Sequence, residues 1–321
     1  MLKRSFEIAR LAVALAIALL VVGAATPSLA AARPSCHGER ATLVGTPGDD
    51  VLEGTSRGDV VVALGGDDIV EGFGGGDEIC GGGGEDALFG GRGNDSLFGE
   101  GGDDDLAGGD GGDQLSGQAG SDELDGDDGN DLLSGGGGED GLNGGNEDDR
   151  LSGGDDRDGI VGGEGNDKLT GEDGADTLNG DAGNDRLSGE RGDDVVRGGD
   201  ASDVMFGGEG ADELFGGNDE DDITGGPGND RLIGGGGNDQ LFGFEGADVL
   251  IGGGVDDQLF GNQGADTLIG SNGRDQLSGA EGDDELVGGP NTDVCDGGPG
   301  KDQQDGCESR TGFGLLRPLF G

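Results

Sequence analysis

The sequence predicts an all-β fold in which short strands stack as copies of one repeat, and three observations predict it. From Asp50 an Asp recurs at every ninth residue as far as Asp302, 29 in register without insertion or deletion. When each nonapeptide is counted so that this Asp is sixth, the eighth position carries an apolar side chain from Leu52 to Leu286, and only Cys295 and Gln304 break the series. The first position is Gly in every unit except at Ala63, and the fourth is Gly in 22 of 29. Compositional drift would not hold phase over 261 residues, whereas a repeat architecture does.

The first thirty residues stand outside this ruler. Lys3, Arg4 and Arg10 accompany an apolar run of 15 residues, Leu11 to Ala25, and small residues follow at Ser28-Leu29-Ala30 and Ala30-Ala31-Ala32. That is the pattern of a secretory signal peptide, here residues 1–30 with cleavage near 30–32. A membrane-spanning helix needs ~20 apolar residues, so no stable membrane insertion is expected after cleavage. The expected location is secreted and extracellular, where disulfides persist and calcium is plentiful. Residues 31–44 read as an N-terminal cap. Leu43 lies nine residues before Leu52, so Ala41 to Val44 can supply an incomplete first strand.

Within the repeat, residues 45–305, the first six positions of each unit read as a glycine-rich turn requiring positive φ. The last three read as a short strand with the eighth side chain inward and its neighbours outward. A strand of three residues is stable only when copies pair above and below it. The pattern itself leaves open how many nonapeptides complete one coil.

Units such as Gly90-Gly91-Arg92-Gly93-Asn94-Asp95-Ser96-Leu97-Phe98 and Gly234-Gly235-Gly236-Gly237-Asn238-Asp239-Gln240-Leu241-Phe242 match G-G-x-G-x-D-x-U-x. Over residues 45–305 the chain therefore resembles the RTX (haemolysin-type) calcium-binding nonapeptide-repeat family. The resemblance implies a parallel β-roll, a β-solenoid of about 14 two-nonapeptide coils, with residues 18 apart as stacked neighbours. It also implies multiple Ca2+ ions held between successive turns by sixth-position carboxylates and turn carbonyls. Carried onto this sequence, one ladder of metal ligands is Asp50, Asp68, Asp86, Asp104, Asp122, Asp140, Asp158, Asp176, Asp194, Asp212, Asp230, Asp248, Asp266, Asp284 and Asp302. The other is Asp59, Asp77, Asp95, Asp113, Asp131, Asp149, Asp167, Asp185, Asp203, Asp221, Asp239, Asp257, Asp275 and Asp293. One ion between each pair of neighbours would give at most 27 sites.

Charge points the same way. The chain has 70 acidic and 18 basic side chains and a formal net charge of −52, which repels phosphate and excludes nucleic acid as a partner. Residues 45–305 hold 67 acidic and 11 basic side chains, a net charge that 27 divalent ions would nearly cancel. The chain has 83 Gly and one core side chain per nonapeptide, so apolar burial offsets only part of the ordering entropy. Calcium binding and folding are accordingly expected to be one equilibrium. Without the register, the same composition would describe a disordered acidic tail. For a single Asp the alternative is a turn residue that bonds its own backbone. The fourth position departs from Gly at Arg57, Glu147, Asp156, Ala201, Asp219, Val255 and Asn291. Two departures are consecutive, so residues 144–161 are expected to be a weak zone.

The four cysteines lie near the ends of the repeat. Three pairings are possible from sequence. The implied roll, at ~4.8 Å per coil, would be about 70 Å long, which keeps the two groups apart and pairs Cys36 with Cys80 and Cys295 with Cys307. Zinc is disfavoured because no C-x-x-C spacing occurs. Residues 306–321 read as a C-terminal cap or tail, with Phe313, Leu315, Leu316, Leu319 and Phe320 packing over the last coil. At the outward ninth position, Phe215, Ile233, Ile251, Ile269 and Val287 recur every 18 residues, and Phe206, Phe242 and Phe260 share the opposite face. These rows pack along their ladders or offer a surface for self-association or a cell-envelope component.

Once the repeat is subtracted, no catalytic constellation remains, and the chain reads as a non-enzyme. His37 is the only histidine and lies in the leader, and no GxxxxGK[ST] occurs. The function expected is that of a secreted calcium-binding repeat protein with a structural or adhesive role at the cell exterior. The alternatives are a remnant or accessory of an RTX toxin or exoenzyme system, or an extracellular calcium buffer. The N-terminal signal, with only about 14 residues between it and the roll, disfavours the toxin reading.

Overall fold

The computed structural model describes residues 34–308, so the signal segment and the apolar residues of the C-terminal tail lie outside the described residues. Among the described residues every regular element is a β-strand, and no helix is long and apolar enough to cross a membrane. The chain divides into two compact units, one ending at Arg191 and the other beginning at Gly192.

In the first unit all strands after the leader pair in parallel with partners 18 residues away. Leu106 is flanked by Leu88 and Leu124, and Leu115 by Leu97 and Leu133. One coil is therefore two nonapeptides, and alternate units feed two sheets. Ala87–Arg92, Asp105–Asp110 and Glu123–Asp128 are neighbours in one sheet; Ser96–Gly101, Gln114–Ala119 and Leu132–Gly137 are neighbours in the other. Eighth-position side chains from both sheets form the core, with Leu88, Leu97, Leu106 and Leu124 fully buried. The parallel β-roll is the expected fold.

The strands are longer than the expected three residues. In the body of the unit they span six, positions seven to nine and the first three of the next nonapeptide, as in Asp105–Asp110. Only positions four to six are left to the turn. Positive φ is concentrated at the second and fourth positions, so it is not a demand of the whole glycine-rich stretch. The first-position Gly, replaced only at Ala63, has no left-handed φ; its requirement is space, as described below. The zone around Glu147 and Asp156 keeps its register, with Leu142 opposite Ile160 and Leu151 opposite Leu169. Glu147 and Asp156 occupy the left-handed region at φ 73° and 77°, a conformation that favours Gly.

At the start of this unit Leu43–Val44 pairs with Val61 and Val62 as the expected incomplete strand. The residues before it do more than cap an end. Ser35–Cys36 and Glu39–Arg40 form an antiparallel hairpin that the Cys36–Cys80 disulfide fastens to the roll. Cys36 and Ala41 pack with Val62, Cys80 and Phe98, ninth-position residues of three successive coils. The hairpin thus covers an outer apolar row that the repeat would otherwise leave in water.

The second unit repeats the design. Leu232 lies between Leu214 and Leu250, and Leu241 between Ile223 and Leu259. The ninth-position row Phe215, Ile233, Ile251, Ile269 and Val287 is in register, each residue opposite the next. On the other face Phe242 and Phe260 stack with ring centroids 5.0 Å apart. The terminal strands shorten to three residues, and Cys295 and Cys307 form the second expected disulfide. Over both units each set of alternate strands numbers 15.

Candidate metal centres

Each sixth-position Asp closes a turn and enters a strand, so the roll places its side chain at the same point of every coil. The main chain fixes its neighbours: Asp105 N–H donates to Asp86 O, and Glu123 N–H to Asp104 O, both at 2.8 Å. The carboxylate is held from the adjacent coil. Asp68 N–H donates to Asp86 Oδ1, Asp86 N–H to Asp104 Oδ1 and Asp104 N–H to Asp122 Oδ1, each at 2.8 Å. The other ladder is identical, with Asp77 N–H donating to Asp95 Oδ1 and Asp95 N–H to Asp113 Oδ1 at 2.7 Å. In the second unit Asp212 N–H donates to Asp230 Oδ1 at 3.0 Å. In these members Oδ1 binds the neighbouring coil and not its own turn. The own-turn alternative holds at the start, where Thr46 N–H and Thr55 N–H donate to Oδ2 of Asp50 and Asp59 at 2.5 and 2.8 Å.

The second oxygen defines the candidate site. From Asp68 to Asp293 the ladder side chains are at most 4% exposed, whereas Asp50, Asp59 and Asp302 at the ends are half-buried. For the ladder members from Asp68 to Asp167 in the first unit, and from Asp212 to Asp293 in the second, Oδ2 is enclosed with no hydrogen-bond partner. A buried carboxylate oxygen without a partner is costly, and pairing it with a cation removes that cost. The space beside it is kept open by the first-position Gly. A Cβ on Gly90 would lie 2.5 Å from Asp95 Oδ2 and 2.7 Å from Gly108 O; on Gly234 it would lie 2.2 Å from Asp239 Oδ2 and 2.7 Å from Gly252 O. A carboxylate oxygen and a carbonyl oxygen of the next coil thus border one cradle that any larger residue would fill. All donors are oxygen, the set that suits Ca2+.

The electrostatics favour a cation beside these carboxylates. Burial, opposed by the backbone N–H bond and reinforced by neighbouring carboxylates, pushes Asp149 up to about 8. The same causes push Asp86, Asp131, Asp158 and Asp230 up to about 7. Bound calcium would supply the charge that a proton otherwise provides.

A second ladder was not anticipated from the sequence. The fifth-position side chain, often Asp or Asn, accepts from the fifth-position N–H of the following coil. Asp67 N–H donates to Asp49 Oδ1 at 3.1 Å, Asn166 N–H to Asp148 Oδ1 at 2.8 Å and Ala247 N–H to Asn229 Oδ1 at 2.8 Å. It runs opposite in sense to the sixth-position ladder and is exposed. Its signal was the frequent Asp or Asn directly before the ladder Asp.

The histidine sits apart from these turns. His37 stacks on Phe98 at 3.8 Å, and although Cys80 and Glu100 lie close to it, Cys80 is disulfide-bonded and offers no thiolate.

The family model for the RTX calcium-binding nonapeptide repeat (four copies) matches overlapping windows that run from residue 53 to residue 303. No curated protein matches the chain.

Proposed function

Because the chain belongs to the RTX calcium-binding nonapeptide-repeat family, we propose that it is a secreted, non-enzymatic protein whose β-roll is ordered by Ca2+ and acts as a structural or adhesive element outside the cell. Ca2+ is the cofactor of these repeats, and proteins built on them are typically secreted and structural. In this reading residues 1–30 are the cleaved signal, 31–44 and 306–321 flank the roll, and 45–305 hold the ions. The ligands assigned are the 29 sixth-position Asp side chains, through Oδ2 in the body of the ladders, together with turn carbonyls.

The observation that carries the assignment is the run of buried, unpartnered Oδ2 atoms, which from Asp77 onward lie beside glycine-made cradles such as those at Gly90 and Gly234. An ion there would join adjacent coils and replace repulsion between stacked carboxylates with attraction to a shared cation. The two disulfides fit an oxidising compartment. A calcium buffer would need the ions but no partner surface. The ninth-position row from Phe215 to Val287 favours adhesion or self-association over buffering.

The test is a calcium titration of the chelated protein, followed by circular dichroism and by direct counting of bound ions. Cooperative strand formation with many ions is the expected result. A chelated chain that is already fully ordered, or uptake of only one or two ions, overturns the assignment. Binding to isolated cell envelopes, compared with a variant whose ninth-position apolar residues are replaced by Ser, separates adhesion from buffering.

A further inference from the structure

The ninth-position row of the first unit changes character where the N-terminal hairpin stops. Phe98 lies under the His37 ring, and the next residues in register on the same face are Ser116, Ser134 and Ser152. This step from aromatic to hydroxyl leaves a groove of about 750 Å³, bordered by Gln114, Gln118 and Leu132 among others. Its volume lies within the range of sites that hold small organic ligands, ~300–1,000 Å³.

The lining has three properties that together select a ligand. First, it is nearly uncharged: Glu78 is the one acidic residue along it, in a chain where 27% of residues are charged. Second, four of its polar side chains are available. The side chains of Gln114, Ser116, Gln118 and Ser134 form no hydrogen bond with any described residue. At the far end of the groove Ser152 donates to Glu172, and beyond the groove Ser188 donates to Glu190 at 3.0 Å. Third, an apolar flank accompanies the hydroxyls, because Leu132 is 47% exposed beside them.

We propose that this groove binds a linear, neutral, β-linked glycan lying across the strands, along the stacking direction. The serine hydroxyls repeat once per coil, ~4.8 Å apart, comparable with the rise of one hexose in an extended β-linked chain. Sugar hydroxyls would meet Ser116, Ser134, Gln114 and Gln118, and sugar C–H faces would lie on Leu132. The inference deepens the adhesive reading and rests on a roll ordered by calcium.

The full calcium-loaded chain is titrated by calorimetry with cellohexaose and chitohexaose, and circular dichroism reports independently whether calcium has ordered the roll. Binding of at least one of these two neutral oligosaccharides is expected. Ser134→Phe fills the groove at a repeat position where Phe98 and Phe242 are already accommodated, so the strand is preserved and affinity should fall by about tenfold or more. Ser188→Phe, at the same repeat position beyond the groove, should bind like the parent. An ordered roll that binds neither hexasaccharide, that binds equally well as Ser134→Phe, or that prefers an oligogalacturonate overturns the proposal. A chain that calcium does not order would instead count against the calcium-ordered roll itself.

Discussion

At Asp131 the two carboxylate oxygens have different surroundings: Oδ1 accepts the Asp113 N–H at 2.7 Å, and Oδ2 is buried without a partner. Asp131→Asn keeps an acceptor for the N–H but removes the charge at Oδ2. The expected outcome is one or two fewer bound ions by elemental analysis and a loss of about 1–3 kcal/mol in the calcium-loaded state. Gly126→Ala should lose the same ions with every carboxylate intact, because its Cβ would lie 2.4 Å from both Asp131 Oδ2 and Gly144 O. Equal ion counts in Gly126→Ala and the parent would contradict the cradle. Backbone strain gives a prediction of opposite sign. Glu147 holds φ 73° where most units have Gly, so Glu147→Gly should stabilise the loaded protein by about 1 kcal/mol in thermal unfolding. Titration of the ladder provides a further check. In the metal-free fold Asp149 is raised to about 8 and Asp131 to about 7. A group whose folded pKa is raised contributes stability below its unfolded pKa, here near 3.8, and loses it as pH rises through the folded value. The chelated chain should therefore show more strand by circular dichroism at pH 4 than at pH 8, whereas the calcium-loaded chain should lose ions as acid protonates the same carboxylates.

Strands in the body of each unit gain length because the pairing ladder continues past the first-position Gly: Gly109 still pairs with Gly91 and Asp127. Near the ends the strands shorten to Val51–Glu53 and Glu285–Val287, and disulfides fasten the flanking segments, Cys36 to Cys80 and Cys307 to Cys295. Reduction should accordingly raise hydrogen exchange in the Ser35–Arg40 hairpin and around Cys295–Cys307 while leaving Gln114–Ala119 protected. Uniform loss of protection along the chain would show that the disulfides hold more than the ends. The repeat, its core and both disulfide pairings were legible because Asp and the apolar eighth residue keep a fixed phase, and because each cysteine pair was close to one end. Strand length was not legible, since Gly-rich sequence reads as turn whether its glycines supply positive φ, as Gly109 does, or empty space, as Gly108 does. The hairpin over Val62, Cys80 and Phe98 was equally hidden. Its placement depends on a long-range disulfide and an apolar face that only the folded coil assembles.

Across the molecule a formal charge of −52 combines with ladder carboxylates that water hardly reaches. These two facts separate charge screening from ion binding as the source of order. At ~1 M salt the Debye length is ~3 Å, so exposed repulsions, such as those among the fifth-position carboxylates, are largely removed. Buried carboxylates are screened much less, and their unpartnered Oδ2 atoms still lack a ligand. Sodium chloride at that concentration should therefore leave the chelated chain at neutral pH without its β-signal, whereas calcium at a far lower ionic strength should restore it. Exposed salt bridges such as Arg92 with Asp110 will weaken in the same salt without affecting the calcium-loaded roll, because surface pairs of this kind contribute at most about 1 kcal/mol. Full recovery of strand in sodium chloride alone would mean that the ladders need only screening, and the assignment of ions to the Asp turns would fail with it.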